Sequence, residues 1–176
     1  MAESFVNSVT RAAGIVTTNT AGAIGVTTNL ITGITTTNVT VGDLVENGNF
    51  IAGTKVSSIG VNSTTCDRDS TNNVASSSQT VKYLGLTTAY TSASGTKSII
   101  IGGTFANNTT NEVELTIHLY DNSASLTPAI VSKVPVPNGS SFVISDTGKT
   151  VLEAFDAVRV YCDTANAIDV QLGILK

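Results

Sequence analysis

Tryptophan is absent from this chain of 176 residues, aromatic residues make up only 5% of it, and charged residues only 12%. Without Trp the usual stacking platform for a sugar ring is missing. With charge this scarce, against about 25% in a typical soluble domain, the polar surface must be built from Ser, Thr, Asn and Gly. The formal net charge of −4 supplies no basic footprint for a phosphate backbone, so direct nucleic-acid binding is not expected. The two cysteines, Cys66 and Cys162, lie far apart and outside any C-x-x-C spacing, which excludes a zinc knuckle or a dithiol redox motif. Two buried thiols are the preferred reading and a single long-range disulfide the alternative. No apolar run approaches the roughly 20 residues of a membrane helix, and the opening MAESFVNSVTRAAGIV, with Glu3 and a short apolar stretch, is not expected to be a signal peptide. No membrane partner is expected.

Catalytic signatures are equally scarce. The only histidine, His118, lies in EVELTIHLYDN, where Val113, Leu115, Ile117 and Leu119 alternate with Glu114, Thr116, His118 and Tyr120. That alternation predicts His118 on the solvent side, and no serine sits in a G-x-S-x-G elbow to make a triad with it. Cys66 followed by Asp67 and Asp69 looks like the start of a cation loop, but the further oxygen ligands and distal Glu of a calcium loop are missing. Carboxylate pairs can be drawn from Glu112, Glu114, Asp121, Asp156, Asp163 and Asp169, as in most β proteins, and no glycine-rich phosphate loop opens a helix. No catalytic, cofactor-binding or metal-binding residue is therefore assigned. No cofactor is expected, and the chain is not expected to be an enzyme.

What is present is β chemistry. The stretch GIVTTNTAGAIGVTTNLITGITTTNVTVGDL alternates Val and Ile with Thr, Asn and Gly, and shows no helical spacing. Thr and Val are stiff at χ1 and suit a pleated surface, while Asn and Gly tolerate the backbone of tight turns. Thr-Thr-Asn recurs at 17–19, 27–29 and 36–38 as a turn rhythm, and NGN at 47–49 is a further turn. In the second half SIIIGGTFANN, EVELTIHLYDN, AIVSKVPVPNG, SFVIS, DAVRVYCD and AIDVQLGIL read as about six strands, with TVLEAFDAV as a strand lead-in. Pro135 and Pro137 cannot both sit in a central strand, so their segment is predicted at a sheet edge. The expected fold is all-β: a C-terminal antiparallel β-sandwich of jelly-roll type over residues 86–176, preceded by a smaller β-rich region over residues 1–85.

From about Val39 to Leu175 the chain resembles small structural proteins of tailed bacteriophages, cyanophage-like ones among them. The first part, VGDLVENGNFIAGTKVSSIG, is similar to β modules of virion proteins in which G-D-x-V is followed by G-T-x-V. The second, with VPVPNGSS and VLEAFDAVRV as its most recognisable parts, is similar to sandwich modules of head, neck and tail accessory proteins. The resemblance implies a non-enzymatic virion protein that decorates the capsid or builds the neck or tail. Its implied partners are other virion proteins, such as a major capsid, neck or tail protein, and further copies of itself.

Uncharged Thr/Asn/Ser strands pair along long interfaces without desolvating charge, so residues 1–40 are the expected assembly surface. A competing reading is an adhesin that recognises a host glycan through loops 121–128 and 138–140, with Tyr83, Tyr90, Tyr120 and Tyr161 as a shallow platform. A hydrolase centred on His118 ranks third.

Overall fold

The computed structural model describes residues 3–144 and 150–176. Its strands are β1 (Phe5–Ala13), β2 (Ile15–Ile24), β3 (Leu30–Thr32), β4 (Leu44–Glu46), β5 (Val56–Gly60), β6 (Ser63–Cys66), β7 (Ser76–Gly85) and β8 (Thr87–Thr91). They continue with β9 (Ser98–Asn107), β10 (Val113–Tyr120), β11 (Ala129–Val136), β12 (Ser141–Ile144), β13 (Thr150–Leu152), β14 (Ala157–Cys162) and β15 (Ile168–Leu175). The protein is all-β, and no helix forms among the described residues. Two compact units result: Met1–Gly14 with Thr87–Lys176, and Ile15–Leu86.

The first unit has two antiparallel sheets, ordered β1-β15-β9-β12 and β11-β10-β14-β8, with β13 also on β9. Taking β12 and β13 as one interrupted strand, the first sheet holds this unit's first, eighth, third and sixth strands. The second holds its fifth, fourth, seventh and second. Each sheet thus interleaves early and late strands, which is the double Greek-key order of a jelly roll. The inward side chains fit the alternation: Phe105, Leu115, Ile117, Leu152, Val158, Val160, Ile168, Leu172 and Ile174 form one buried cluster. Hydroxyls close one side of the sandwich, Ser8 Oγ and Thr10 Oγ1 both donating to the Ala89 carbonyl, at 2.9 and 3.4 Å. β11 is an edge strand, as Pro135 predicts, and its register on β10 slips twice.

The sequence reading divides the chain once, between residues 85 and 86. The structure divides it also at Gly14, because β1 leaves the N-terminal region to pair along β15 from Phe5↔Leu175 to Ala13↔Ile168. Gly14 and Thr87, where the chain leaves and re-enters this unit, are joined by the Gly14 amide donating to Thr87 Oγ1 at 3.3 Å.

The second unit is one six-stranded sheet, β4-β7-β2-β3-β6-β5, in which the two long strands β2 and β7 pair with each other. Its core combines strand residues Ile24, Ile31, Val45, Val56, Val81 and Tyr83 with Ile34, Val39 and Phe50 from loops. Gly85 permits the close approach of β7 to β2, since a Cβ there would meet Ile15 Cγ2 at 2.7 Å.

Candidate interaction surface

Paired residues of neighbouring antiparallel strands project to the same side of the sheet, so the register defines cross-strand rows. Three rows make up the middle of the outer face of the β1-β15-β9 sheet, and the next outward row carries Arg11 on β1 and Asp169 on β15. The first is Phe5, Leu175, Ile99 and Val151; the second is Asn7, Gly173 and Gly102; the third is Val9, Gln171, Thr104 and Val143. None of these side chains is charged. Ile101 is an extra residue on β9, at the point where the register shifts between Gly173 and Ile174. As in a β-bulge, it turns outward with its neighbour.

The middle row is a trough. Its floor is backbone at Gly102 and Gly173, and Asn7, Ile101, Thr104, Val143 and Gln171 line a shallow depression of about 480 Å³. Apolar side chains rise beside it: Phe5 and Val9 are each 73% exposed, Val143 53% and Val151 49%. The sequence reading passed over this face. Apolar residues at successive positions, Ile99, Ile100 and Ile101, are the signal of a strand apolar on both sides.

The other sheet presents a different outer face. His118, predicted to face solvent, is only 4% exposed, and this corrects the expectation. Its ring packs edge-on against Tyr161 at 5.1 Å, and Tyr161 is itself buried. Arg159 lies over the Tyr120 ring at 3.7 Å, and Lys133 pairs with Glu114 at 3.6 Å. The histidine is thus part of a packed aromatic layer. The four tyrosines do not assemble into a platform: Tyr83 belongs to the core of the other unit, Tyr161 is covered, and the Tyr90 hydroxyl bonds Ser98 Oγ at 2.8 Å.

Most of the candidate carboxylates staple loops. Asp163 accepts from the Glu114 amide at 2.9 Å, and Asp169 from the Ala12 amide at 2.8 Å. Buried Asp156 accepts from the Asn122 and Glu153 amides, both at 2.9 Å, and so ties two turns together. Asp121 accepts from the Ala124 amide and the Ser123 hydroxyl, bonds that lower its pKa. Asp67 accepts from the Lys55 amide at 2.8 Å, while Asp69 and Glu112 lie exposed. Among the described residues no three His, Cys, Asp or Glu side chains are grouped to hold a metal ion. Cys66 and Cys162 are both buried thiols, each in the core of its own unit. Burial, with the Asp67 charge second, pushes the Cys66 thiol up to about 12.

The G-D-x-V and G-T-x-V segments pair with each other. The Gly42 amide donates to the Val56 carbonyl, the Val56 amide to the Asp43 carbonyl and the Val45 amide to the Thr54 carbonyl, at 2.8–2.9 Å. Buried Asp43 accepts from the Thr40 amide at 2.8 Å and the Thr40 hydroxyl at 2.7 Å, and Thr54 Oγ1 donates to the Ile51 carbonyl at 2.7 Å. Gly42 and Gly53 supply left-handed backbone at φ +96° and +83°. Each residue of the motif therefore has a folding role.

Compared with known proteins, the chain matches no family model, no curated protein and no solved structure.

Proposed function

We propose that this protein is a non-enzymatic structural component of a bacteriophage virion, made in the host cytoplasm and incorporated by protein–protein contact as a capsid decoration, neck or tail component. The observation that carries the reading is the apolar middle of the outer face of the β1-β15-β9 sheet, where Phe5, Val9, Ile101, Val143 and Val151 are displayed around a glycine-floored trough. Contiguous apolar exposure of this kind marks an association surface. The carboxylates support the same reading, since most of them are committed to backbone amides in turns. The motif resemblance points to the virion as the place of assembly. On this reading the partners are other virion proteins and copies of the same chain, with no cofactor, nucleic acid or membrane involved.

Immunogold labelling of particles from an infected-cell lysate, with an antibody to this protein, tests the reading. Label on the head, neck or tail is expected, and its position names the component. Unlabelled particles beside soluble antigen would overturn it.

A further inference from the structure

We propose that the Asn-Gly step at residues 138–139 is a site of self-modification, where Asn138 converts to aspartate and isoaspartate with release of ammonia. The other Asn-Gly step, at residues 47–48, is held unreactive by the fold. The inference stands apart from the assembly reading and does not draw on it.

The chemistry needs only these two residues and water. The Gly139 amide nitrogen gives up its proton to solvent base and bonds to the side-chain carbonyl carbon of Asn138, Cγ. The bond from Cγ to Nδ2 breaks, and Nδ2 leaves as ammonia with a proton taken from water. A five-membered imide results, and water opens it at one of its two carbonyl carbons. Attack at Cγ restores the main chain with aspartate at 138; attack at the main-chain carbonyl leaves isoaspartate, with the chain running through the former side chain. The sum is asparagine plus water giving aspartate or isoaspartate plus ammonia, with no oxidant or reductant. Glycine favours the first step because no Cβ screens the attacking nitrogen.

Ring closure requires the side-chain amide and the peptide that follows it to turn toward each other. At 138–139 little opposes this. The step lies in the turn between β11 and β12, closed by the Ser140 amide and hydroxyl donating to the Pro137 carbonyl at 3.2 and 2.7 Å. Asn138 and Gly139 are both exposed, and a Cβ on Gly139 would meet nothing within 4 Å. Among the described residues, neither the Asn138 carbonyl nor the Gly139 amide, the two halves of the peptide that must turn, makes a hydrogen bond. The side chain makes one, Nδ2 donating to the Thr110 carbonyl at 3.1 Å on the surface.

At 47–48 three bonds oppose the same movement. Asn47 Nδ2 donates to the Thr80 carbonyl at 2.8 Å, and its Oδ1 accepts from the Asn49 amide at 2.9 Å. The carbonyl of the reacting peptide accepts from the Phe50 amide at 3.0 Å, and Phe50 is a core residue, so turning that peptide disturbs packing as well.

Conversion at 138 adds one negative charge to the net −4. It also replaces the Nδ2 donor by a carboxylate oxygen facing the Thr110 carbonyl, so the tie between those two turns is lost.

The test is to hold the full chain at mildly alkaline pH and follow both Asn-Gly peptides by digestion and mass spectrometry, with electron-transfer fragmentation to tell isoaspartate from aspartate. Conversion at 138 is expected to run at least about tenfold ahead of conversion at 47, the effect of two additional hydrogen bonds. The same incubation in denaturant is expected to bring the two rates together, since both steps are then Asn-Gly in an open chain. Asn138→Ser is expected to remove the acidic species that accumulates on anion exchange. No conversion at 138 in the folded chain, conversion at 47 that keeps pace with it, or a preference for 138 that persists undiminished in denaturant overturns the proposal. So does an acidic species that survives Asn138→Ser.

Discussion

The two units solve the same problem, covering one face of a sheet, by different means. In the jelly roll a second sheet does it, and the contact is between side chains of regular strands: Phe105, Leu172 and Ile174 from one layer, Leu115, Ile117 and Val160 from the other. In the 15–86 unit the cover is partly loop, with Ile34, Val39 and Phe50 plugged against Val81 and Tyr83. Strands come with a hydrogen-bonded ladder, whereas loops must be held by side chains. Accordingly Asn19 bonds the Thr35 backbone twice, at 3.1 and 2.8 Å, Asp43 holds Thr40, and Asn49 Nδ2 donates to Ser76 Oγ at 3.2 Å. The jelly roll depends chiefly on volume, and the smaller unit depends equally on a few polar side chains.

Substitutions in each unit test that contrast, and the largest effect is expected in the sandwich. Phe105→Ala empties a fully buried position next to Phe142, and should cost about 3–5 kcal/mol in denaturant unfolding, with amide exchange accelerated across β9, β12 and β15. Asp43→Ala removes no comparable volume, yet it leaves the Thr40 amide and hydroxyl without their acceptor. A loss of about 2–3 kcal/mol is expected, with exchange accelerated in residues 39–56 and unchanged in the jelly-roll strands. If Asp43→Ala were silent, the claim that polar side chains hold the loops would fail.

Tyr83→Phe is expected to cost about 1–2 kcal/mol, because the hydroxyl partner at 2.9 Å, Thr64, is buried. Tyr83 and its neighbour Cys66 together predict alkaline weakness. Burial raises Tyr83 from 10.0 to about 12 and Cys66 from 9.0 to about 12, so both groups hold their protons more tightly when folded. The stability this represents is full below the unfolded pKa values and is lost as pH rises from about 9 toward 12. Thermal melts of the full chain should show the transition assigned to this unit falling over that window, and Tyr83→Phe should flatten the fall. The smallest effect belongs to Asp121→Asn on an exposed jelly-roll turn. Hydrogen bonds lower its carboxyl pKa, so its contribution is present at neutral pH and disappears as pH falls through the acid range; the substitution should leave the neutral Tm nearly unchanged.

Strand character was legible wherever Val, Ile and Thr alternate with polar residues, and the edge position of β11 was legible from Pro135. The destination of β1 was not. Its alternation of Phe5, Asn7 and Val9 with Val6, Ser8 and Thr10 marks a strand, but nothing local says that its partner is β15 at the far end of the chain. The burial of His118 was hidden for a related reason: alternation assigns a face and not what covers it. The cover comes from Tyr161 on β14, which pairs with Thr116, one outward position along β10 from His118. Of residues 1–40, the expected assembly surface, β1 belongs to one unit and β2 and β3 to the other, and the outward side of β1 lies on the apolar face. The glycine trough depends on a three-strand register and on a bulge at Ile101, neither of which local pattern encodes.

The central claim is that this chain acts by being built into a particle through the apolar middle of its β1-β15-β9 face. The most direct measurement is quantitative mass spectrometry of gradient-purified particles, before and after a 1 M-scale salt wash of the kind that reduces the Debye length to about 3 Å. The account predicts that the chain bands with the particles at a fixed ratio to the main shell protein and resists the wash, because no charge pair holds it. Recovery only at the top of the gradient, or release by salt, would contradict it.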